Sequence, residues 1–239
     1  MFRVFAFVFA LGLSLAGCGS TPEAMPSTSS ARTAEDAGMV SLQSLVPDIR
    51  LDMRYAGSDN FVGRPITGYD APRCYLLRPA AEALQRVEQA LRPHGLRLQV
   101  FDCYRPVRAV QDFMAWAADL DDQRTKAEFY PGLPKTALVP GYIAERSGHS
   151  RGATIDLTLL RCDAQGEGCA PLDMGTRFDF FDPLAHTDAP KATPQQRENR
   201  HLLREAMAQE GFRNYPQEWW HYTLQPEPAP TTAYDFPVR

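Results

Sequence analysis

The run Ala153-Thr-Ile-Asp-Leu-Thr-Leu-Leu160 constrains this chain more than any other segment. Its β-branched and apolar residues read as one buried strand. Yet a carboxylate interrupts it at Ile155-Asp156-Leu157. An aspartate buried between such neighbours costs several kcal/mol unless it is paired or bound to a metal. Whatever fold the chain adopts must therefore bring that carboxylate a partner. Just upstream, Ser147-Gly-His-Ser-Arg-Gly152 puts His149 in a glycine-flanked loop leading into the strand. Spacing alone leaves two readings open: a hydrogen-bonded structural aspartate beside a solvated histidine, or a pair of metal ligands.

The remaining elements surround this strand without forming a repeat. Leu42–Tyr55 alternates apolar and polar residues around Ile49-Arg-Leu-Asp-Met53, as a half-buried strand does, and Leu96–Asp102 alternates cleanly. Trp219–Leu224 reads as a last strand. Pro79–Leu91 places Ala80, Ala83, Leu84, Val87 and Leu91 on one helical face, with proline in its first turn. A second helix over Pro106–Ala118 buries Val107, Val110, Phe113, Met114 and Ala117, and a third spans Arg197–Gly211. Asp59–Asp70 is loop, and Asp119–Ala144 is irregular. Strands and helices mix without a βαβ rhythm, which predicts an α+β domain with a central, mostly antiparallel sheet packed with helices. At 239 residues one such domain is expected. The net charge of −4 leaves no basic excess for a phosphate backbone, which argues against a nucleic-acid partner.

The N-terminal residues read as an address. Arg3 precedes the apolar run Val4–Leu13, and small residues follow up to Cys18. That pattern predicts a cleaved export signal over 1–17, too short for a membrane span. Leu15-Ala-Gly-Cys18 looks like the bacterial lipobox, in which the cysteine is acylated and anchors the mature chain to a membrane. Gly19 in place of an aspartate favours the outer membrane over the inner, so the expected location is the periplasmic side of the cell envelope. Residues 18–38 are rich in Ser, Thr, Ala and Pro, and read as a flexible tether. Residues 39–239 then form the domain. Beyond Cys18 four cysteines remain, and the short Gly-containing loop between Cys162 and Cys169 makes Cys162–Cys169 with Cys74–Cys103 the natural pairing. A periplasm permits both bridges. A zinc site built from these four lacks any CxxC spacing to support it.

Five histidines can be weighed singly. His94 in a Pro-His-Gly turn and His201 in a charged helix read as surface residues, and His186 in a polar loop is ambiguous. His221 stands apart, in Glu218-Trp-Trp-His-Tyr222, where two tryptophans build an apolar wall beside a carboxylate and an imidazole. Residues three apart in a regular strand face opposite sides, but Pro216 just upstream predicts an irregular entry. Two histidines, a carboxylate and an open fourth position make a catalytic zinc set, and a glutamate outside the ligand shell is the general-base arrangement of zinc peptidases. The HExxH helix is absent, so the chain is not of that class.

Taken together, Ser147-x-His149-x-x-Gly152-x-x-x-Asp156 and Glu218-Trp-Trp-His221 resemble the D-alanyl-D-alanine dipeptidases of the VanX type. These share a fold and zinc site with bacterial D,D-carboxypeptidases and the hedgehog signalling domain. The likeness continues in order through Asp59-Asn-Phe61, Gly68-Tyr69, Asp102-Cys-Tyr-Arg-Pro106, Asp173-Met-Gly-Thr-Arg-Phe-Asp179 and the terminal Tyr234-Asp-Phe-Pro-Val-Arg239. It implies one Zn2+ per chain on His149, Asp156 and His221. It implies Glu218 as the base that deprotonates zinc-bound water and later protonates the leaving amine, with Arg105 stabilising the oxyanion. Ser147 and Tyr69 would hold the substrate carboxylate, and Asp179, with backbone near Tyr55, its ammonium. Arg105 alone would read as a salt-bridged surface residue, and Asp179 could equally pair with Arg177. The implied reaction is hydrolysis of the small dipeptide D-Ala-D-Ala in cell-wall peptide turnover. A D,D- or L,D-carboxypeptidase acting on longer stem peptides is the first alternative. The second is a non-catalytic, zinc-containing peptidoglycan-binding lipoprotein, which would have no need of Glu218. Nothing in the sequence indicates an oligomeric state.

Overall fold

The computed structural model describes residues 27–163, 165 and 168–239; the expected signal peptide, Cys18 and the first part of the tether lie outside the described residues. The strands are β1 (Ser27–Thr28), β2 (Met39–Ser41), β3 (Arg50–Leu51), β4 (Tyr75–Leu77), β5 (Leu96–Asp102), β6 (Thr154–Arg161), β7 (Ala170–Pro171), β8 (Phe212–Asn214), β9 (His221–Leu224) and β10 (Thr232–Ala233). The helices are α1 (Leu42–Leu45), α2 (Arg78–Leu91), α3 (Val107–Ala118), α4 (Lys126–Phe129) and α5 (Pro194–Gln209). The main sheet has the order β3-β5-β6-β9-β8, with β7 also pairing with β6. Every pairing in it is antiparallel except β3 with β5. This is the α+β architecture expected.

As its composition requires, β6 lies inside the sheet and is buried from Thr154 to Leu160. α2 and α5 pack on each other and against β5 and β6. α2 buries the five predicted residues, and Glu88 as well. That carboxylate is offset by Arg97 and Arg92 and accepts the Leu98 N–H at 2.8 Å, which ties the helix to the start of β5. On α3 the buried stripe is Ala109, Val110, Phe113, Trp116 and Ala117, while Val107 and Met114 are half-buried. Phe113 and Trp116 join Tyr55, Phe61 and Phe181 in an aromatic cluster.

Two expectations are corrected. Leu42–Tyr55 is not one strand: it holds α1, a two-residue β3 and a 3-10 turn at Arg54–Ala56. Its buried residues are Leu42, Val46, Ile49, Met53 and Tyr55, so the apolar spacing is mostly helical, and Pro47 stops a helix from running through. The tether assigned to 18–38 is ordered from Ser27 onward. Ser27 and Ser29 donate backbone hydrogen bonds to Thr231 and Ala233, each at 2.8 Å, and Ala31, Ala34 and Ala37 pack against the core. Composition missed this because backbone pairing at a sheet edge needs no bulky side chain.

The loop over Asp59–Asp70 is fastened from two directions. Fully buried Asn60 donates to the carbonyls of Arg54, Gly57 and Arg64 and accepts from the N–H groups of Val62 and Gly63. On α3, Asp112 takes both terminal nitrogens of Arg64 at 2.7 and 2.9 Å, and also the N–H and hydroxyl of Thr67. The Arg64 hydrogen bonds hold the Asp112 carboxyl at about 2, below its ordinary value. A depressed folded-state pKa contributes stability above the unfolded value, near 3.9, that is lost as pH falls through about 2. Asp112→Asn is therefore expected to lower Tm at pH 7 by roughly 2–4 °C, for a loss of about 1 kcal/mol. Melts at pH 7, 4 and 2 check this: the gap between variant and parent should close toward pH 2.

Candidate active site

Strand register builds the centre of the site. Asp102 on β5 lies opposite Asp156 on β6, which lies opposite His221 on β9. A register shift between Val100 and Asp102 marks a bulge in β5 just before this row. His149 arrives from the 3-10 turn Gly148–Arg151, where the Ser147 hydroxyl caps the turn by accepting the His149 N–H at 3.2 Å. Gly152 closes that turn at φ +77°, packed so tightly on Met39 that a Cβ there would collide with it.

The three side chains converge on one point. His149 Nε2 is 3.2 Å from Asp156 Oδ2 and 3.3 Å from His221 Nδ1, and His221 Nδ1 is 3.0 Å from Asp156 Oδ1. A tetrahedral ion with bonds of about 2.0–2.1 Å has ligand–ligand edges of about 3.3–3.4 Å, so the spacing fits a divalent metal. Two further observations agree with this fit. The Nδ1 of His149 donates to the Cys103 carbonyl at 2.7 Å, which fixes the tautomer and leaves Nε2 as the free ligand atom. Asp156 Oδ1 is buried with no hydrogen-bond partner among the described residues, despite its nearness to His221. A buried carboxylate set against two imidazole nitrogens, one at each oxygen, with Oδ1 left unsatisfied, is satisfied by a cation. Burial pushes the Asp156 carboxyl up, but His149 and His221 outweigh it and hold it well below the usual carboxylate range. The disulfide Cys74–Cys103 braces the carbonyl that orients His149, and Cys162–Cys169 closes the short loop after β6.

Glu218 reaches the same point by the irregular entry that Pro216 foreshadows. Its N–H donates to the Tyr215 carbonyl at 3.0 Å, and its own carbonyl accepts from His221 N–H at 3.3 Å. This turn puts residues 218 and 221 on one side, with Glu218 Oε2 3.4 Å from His221 Nδ1. Burial raises the Glu218 carboxyl to about 7, close to the working range of a general base. Arg105 is held by Asp102, whose Oδ2 lies 3.0 Å from both its Nε and Nη2; Nη2 is also 3.6 Å from Asp156. The rings of Tyr55 and Phe113, each 5.1 Å away, cover the guanidinium. Arg105, Glu218, Ser147, Tyr55 and Asp179 line one cavity of about 320 Å3 with the three candidate ligands.

Asp179 is the one non-glycine residue with positive φ, +59°, among the described residues. Its Oδ2 accepts from the Tyr55 hydroxyl at 2.8 Å, and burial, reinforced by Asp156, raises its carboxyl well above the usual range. Arg177 is not its partner, being engaged with Asp59 and Glu128. Tyr55 thus meets Asp179 through its side chain, whereas its backbone carbonyl accepts from Ile66. Tyr69 donates its hydroxyl to Asp102 Oδ1 at 2.6 Å and so braces the aspartate behind Arg105; it is not among the residues that line the cavity. Asp102 was missed as a site residue, although its burial at the end of a clean alternating strand was a usable signal.

Three ligand atoms around one point, with a glutamate beside them at the wall of a cavity, define a metal-dependent hydrolase centre. Comparison with known proteins gives the class its family. The Peptidase_M15 profile, described as D-ala-D-ala dipeptidase, matches residues 35–239, and the chain belongs to this family of metallopeptidases. It is similar to the D-alanyl-D-alanine dipeptidase of Enterococcus faecium, 41% identical over 205 residues that cover 85% of this chain and 100% of the relative. The corresponding Streptomyces coelicolor protein is 44% identical over 198 residues, 82% of this chain and 96% of that one. The Escherichia coli dipeptidase is 34% identical over 189 residues, covering 78% and 84%.

Proposed function

We propose that this enzyme is a zinc-dependent D,D-dipeptidase that hydrolyses free D-Ala-D-Ala in cell-wall peptide turnover. The observation that carries the reading is the convergence of His149, Asp156 and His221 beside Glu218 in a cavity that also contains the buried carboxyl of Asp179. Zinc held by the three ligands supplies Lewis acidity and lowers the pKa of water to about 7. Glu218 takes the proton of the attacking water at its carboxylate and returns it to the leaving amine. The Arg105 guanidinium, fixed by Asp102 and shielded by two rings, stabilises the developing oxyanion without reorganising. Ser147, whose hydroxyl is 3.5 Å from Arg105 Nη1, holds the substrate carboxylate. Asp179 holds the ammonium, since a cation that enters beside a buried carboxyl offsets the cost that burial imposes on its charged form. The small cavity suits a dipeptide.

Export and acylation at Cys18 belong to the same proposal. The two disulfides support an oxidising compartment such as the periplasm, where peptidoglycan fragments are at hand.

The deciding experiment is product analysis on D-Ala-D-Ala, its N-acetylated form and a muramyl pentapeptide, with metal-free and zinc-loaded enzyme. The free dipeptide alone should be cleaved, and only with zinc; turnover of the blocked or longer peptides would transfer the function to a carboxypeptidase. Glu218→Gln should bind zinc stoichiometrically yet lose about 1,000-fold or more in kcat, read by single-turnover kinetics beside metal analysis. Arg105→Ala should lower kcat by about 100–1,000-fold, with the larger share of the loss in kcat rather than KM.

A further inference from the structure

The segment that delivers Asp179 runs from Asp173 to Thr187 and contains only a 3-10 turn at Pro183–Ala185. One side chain from α5 grips it near both ends. Arg200 is fully buried; its Nε donates to the Met174 carbonyl at 2.7 Å and its Nη1 to the His186 carbonyl at 2.6 Å. Nη2 donates to Met174 as well. Among the described residues, all the hydrogen bonds of this guanidinium go to backbone carbonyls and none to a carboxylate. Burial accordingly draws its pKa down. A cation buried on neutral acceptors is costly, and an apolar side chain of similar volume would fill the same space. The guanidinium presents donors on separate nitrogens at fixed angles, so one side chain meets both carbonyls at once.

The surroundings are shaped to this grip. Gly175, at φ +84°, lies so close that a Cβ would stand 2.7 Å from Gln196 Oε1 and 3.0 Å from Arg200 Nη2. Asn199 and Gln196 add bonds from α5 to the backbone and side chain of Asp173. From the other side, the Trp219 indole donates to Thr176 at 2.8 Å and the Trp219 N–H to the Ala185 carbonyl at 3.1 Å. Trp219 follows Glu218 directly, so the segment joins α5 to the turn that carries the base. α5 itself supplies no residue to the cavity.

We infer that Arg200 is a positioning residue. By closing Met174–His186 into a ring, it holds Asp179 in its left-handed conformation against Tyr55 and thereby sets the affinity for a free α-ammonium. The identity of that amine as the substrate's amino end rests on the dipeptidase reading; the mechanical role of Arg200 does not.

The test uses zinc-loaded enzyme and Arg200→Lys, which keeps the charge but replaces the fixed fork of three nitrogens by a single one. For D-Ala-D-Ala, KM should rise about tenfold with kcat within about threefold, and amide exchange over 174–186 should accelerate about tenfold while α2 and β5 stay protected. Unchanged KM and unchanged local exchange, with only a lower Tm, would reduce Arg200 to a packing element and overturn the inference. A fall in kcat at constant KM would overturn it too. If Arg200→Lys does not fold, Arg200→Gln and the parent enzyme decide: rapid exchange over 174–186 in the parent would mean that the ring is not held. Should the parent fail to cleave the dipeptide, the functional reading falls, and the exchange arm still judges Arg200.

Discussion

A carboxylate in the middle of a buried strand is the constraint on which this structure turns. Asp156 occupies buried β6 between Ile155 and Leu157, and a second buried carboxylate, Asp102, faces it across the ladder. Two such groups side by side are tolerable only when positive charge is brought to them. The fold brings it from three directions: Arg105 from the end of β5, His149 from the turn before β6, and His221 from β9. Each of these residues is where it is because a strand end or a capped turn puts it there. The hydrolytic site is thus the same arrangement that makes the sheet's interior electrostatically tenable.

Much of this was legible in the chain itself. The apolar run broken by Asp156, the glycine-flanked His149 and the Glu218–His221 pair all stood out because each breaks a local rule. The strand Leu96–Asp102 and the helix Pro79–Leu91 were legible because their periodicities are uninterrupted. What could not be read was long-range. That Tyr69 bonds to Asp102 depends on how the loop from Asp59 to Asp70 packs, which Asn60 and Asp112 decide through contacts that leave no local pattern. That Ser27 pairs with the 231–233 segment follows from chain ends meeting in space, and polar composition near a terminus points the other way. The alternation at Ile49–Met53 was real, yet only two of its residues found a strand to pair with.

Holding the site requires scaffolding from outside the cavity. The Cys74–Cys103 bridge constrains the carbonyl that orients His149, the Asp102–Tyr69 bond backs Arg105, and the aromatic cluster of Tyr55, Phe61 and Phe113 excludes water from one wall. These supports matter because an electrostatic stabiliser is effective only when it need not reorganise as charge develops. Asp102 holds the Arg105 guanidinium at 3.0 Å, closer than the 3.6 Å that separates it from Asp156. The second carboxylate therefore looks costly in isolation and is required in context.

The same cavity sorts three acids into three states by their neighbours alone. Asp156, flanked by two imidazoles, stays ionised despite burial. Glu218 is desolvated at the cavity wall and also raised by Asp156, which together outweigh the pull of His221 and Arg105 and lift it to about 7, where a group can both accept and return a proton. Asp179, buried and under the influence of the negative Asp156, is pushed toward its neutral form, which Arg105 and the Tyr55 hydroxyl only partly oppose. Pairs of titratable groups with environments that drive them apart mark acid, base and binding roles. Here the separation follows from geometry: the row across β5, β6 and β9 sets two imidazoles against Asp156, whereas the described hydrogen bond of the Asp179 side chain comes from the neutral Tyr55 hydroxyl. A cation placed beside Asp179 would draw its carboxyl back toward the ionised form, because it offsets the cost that burial and Asp156 impose on the charge.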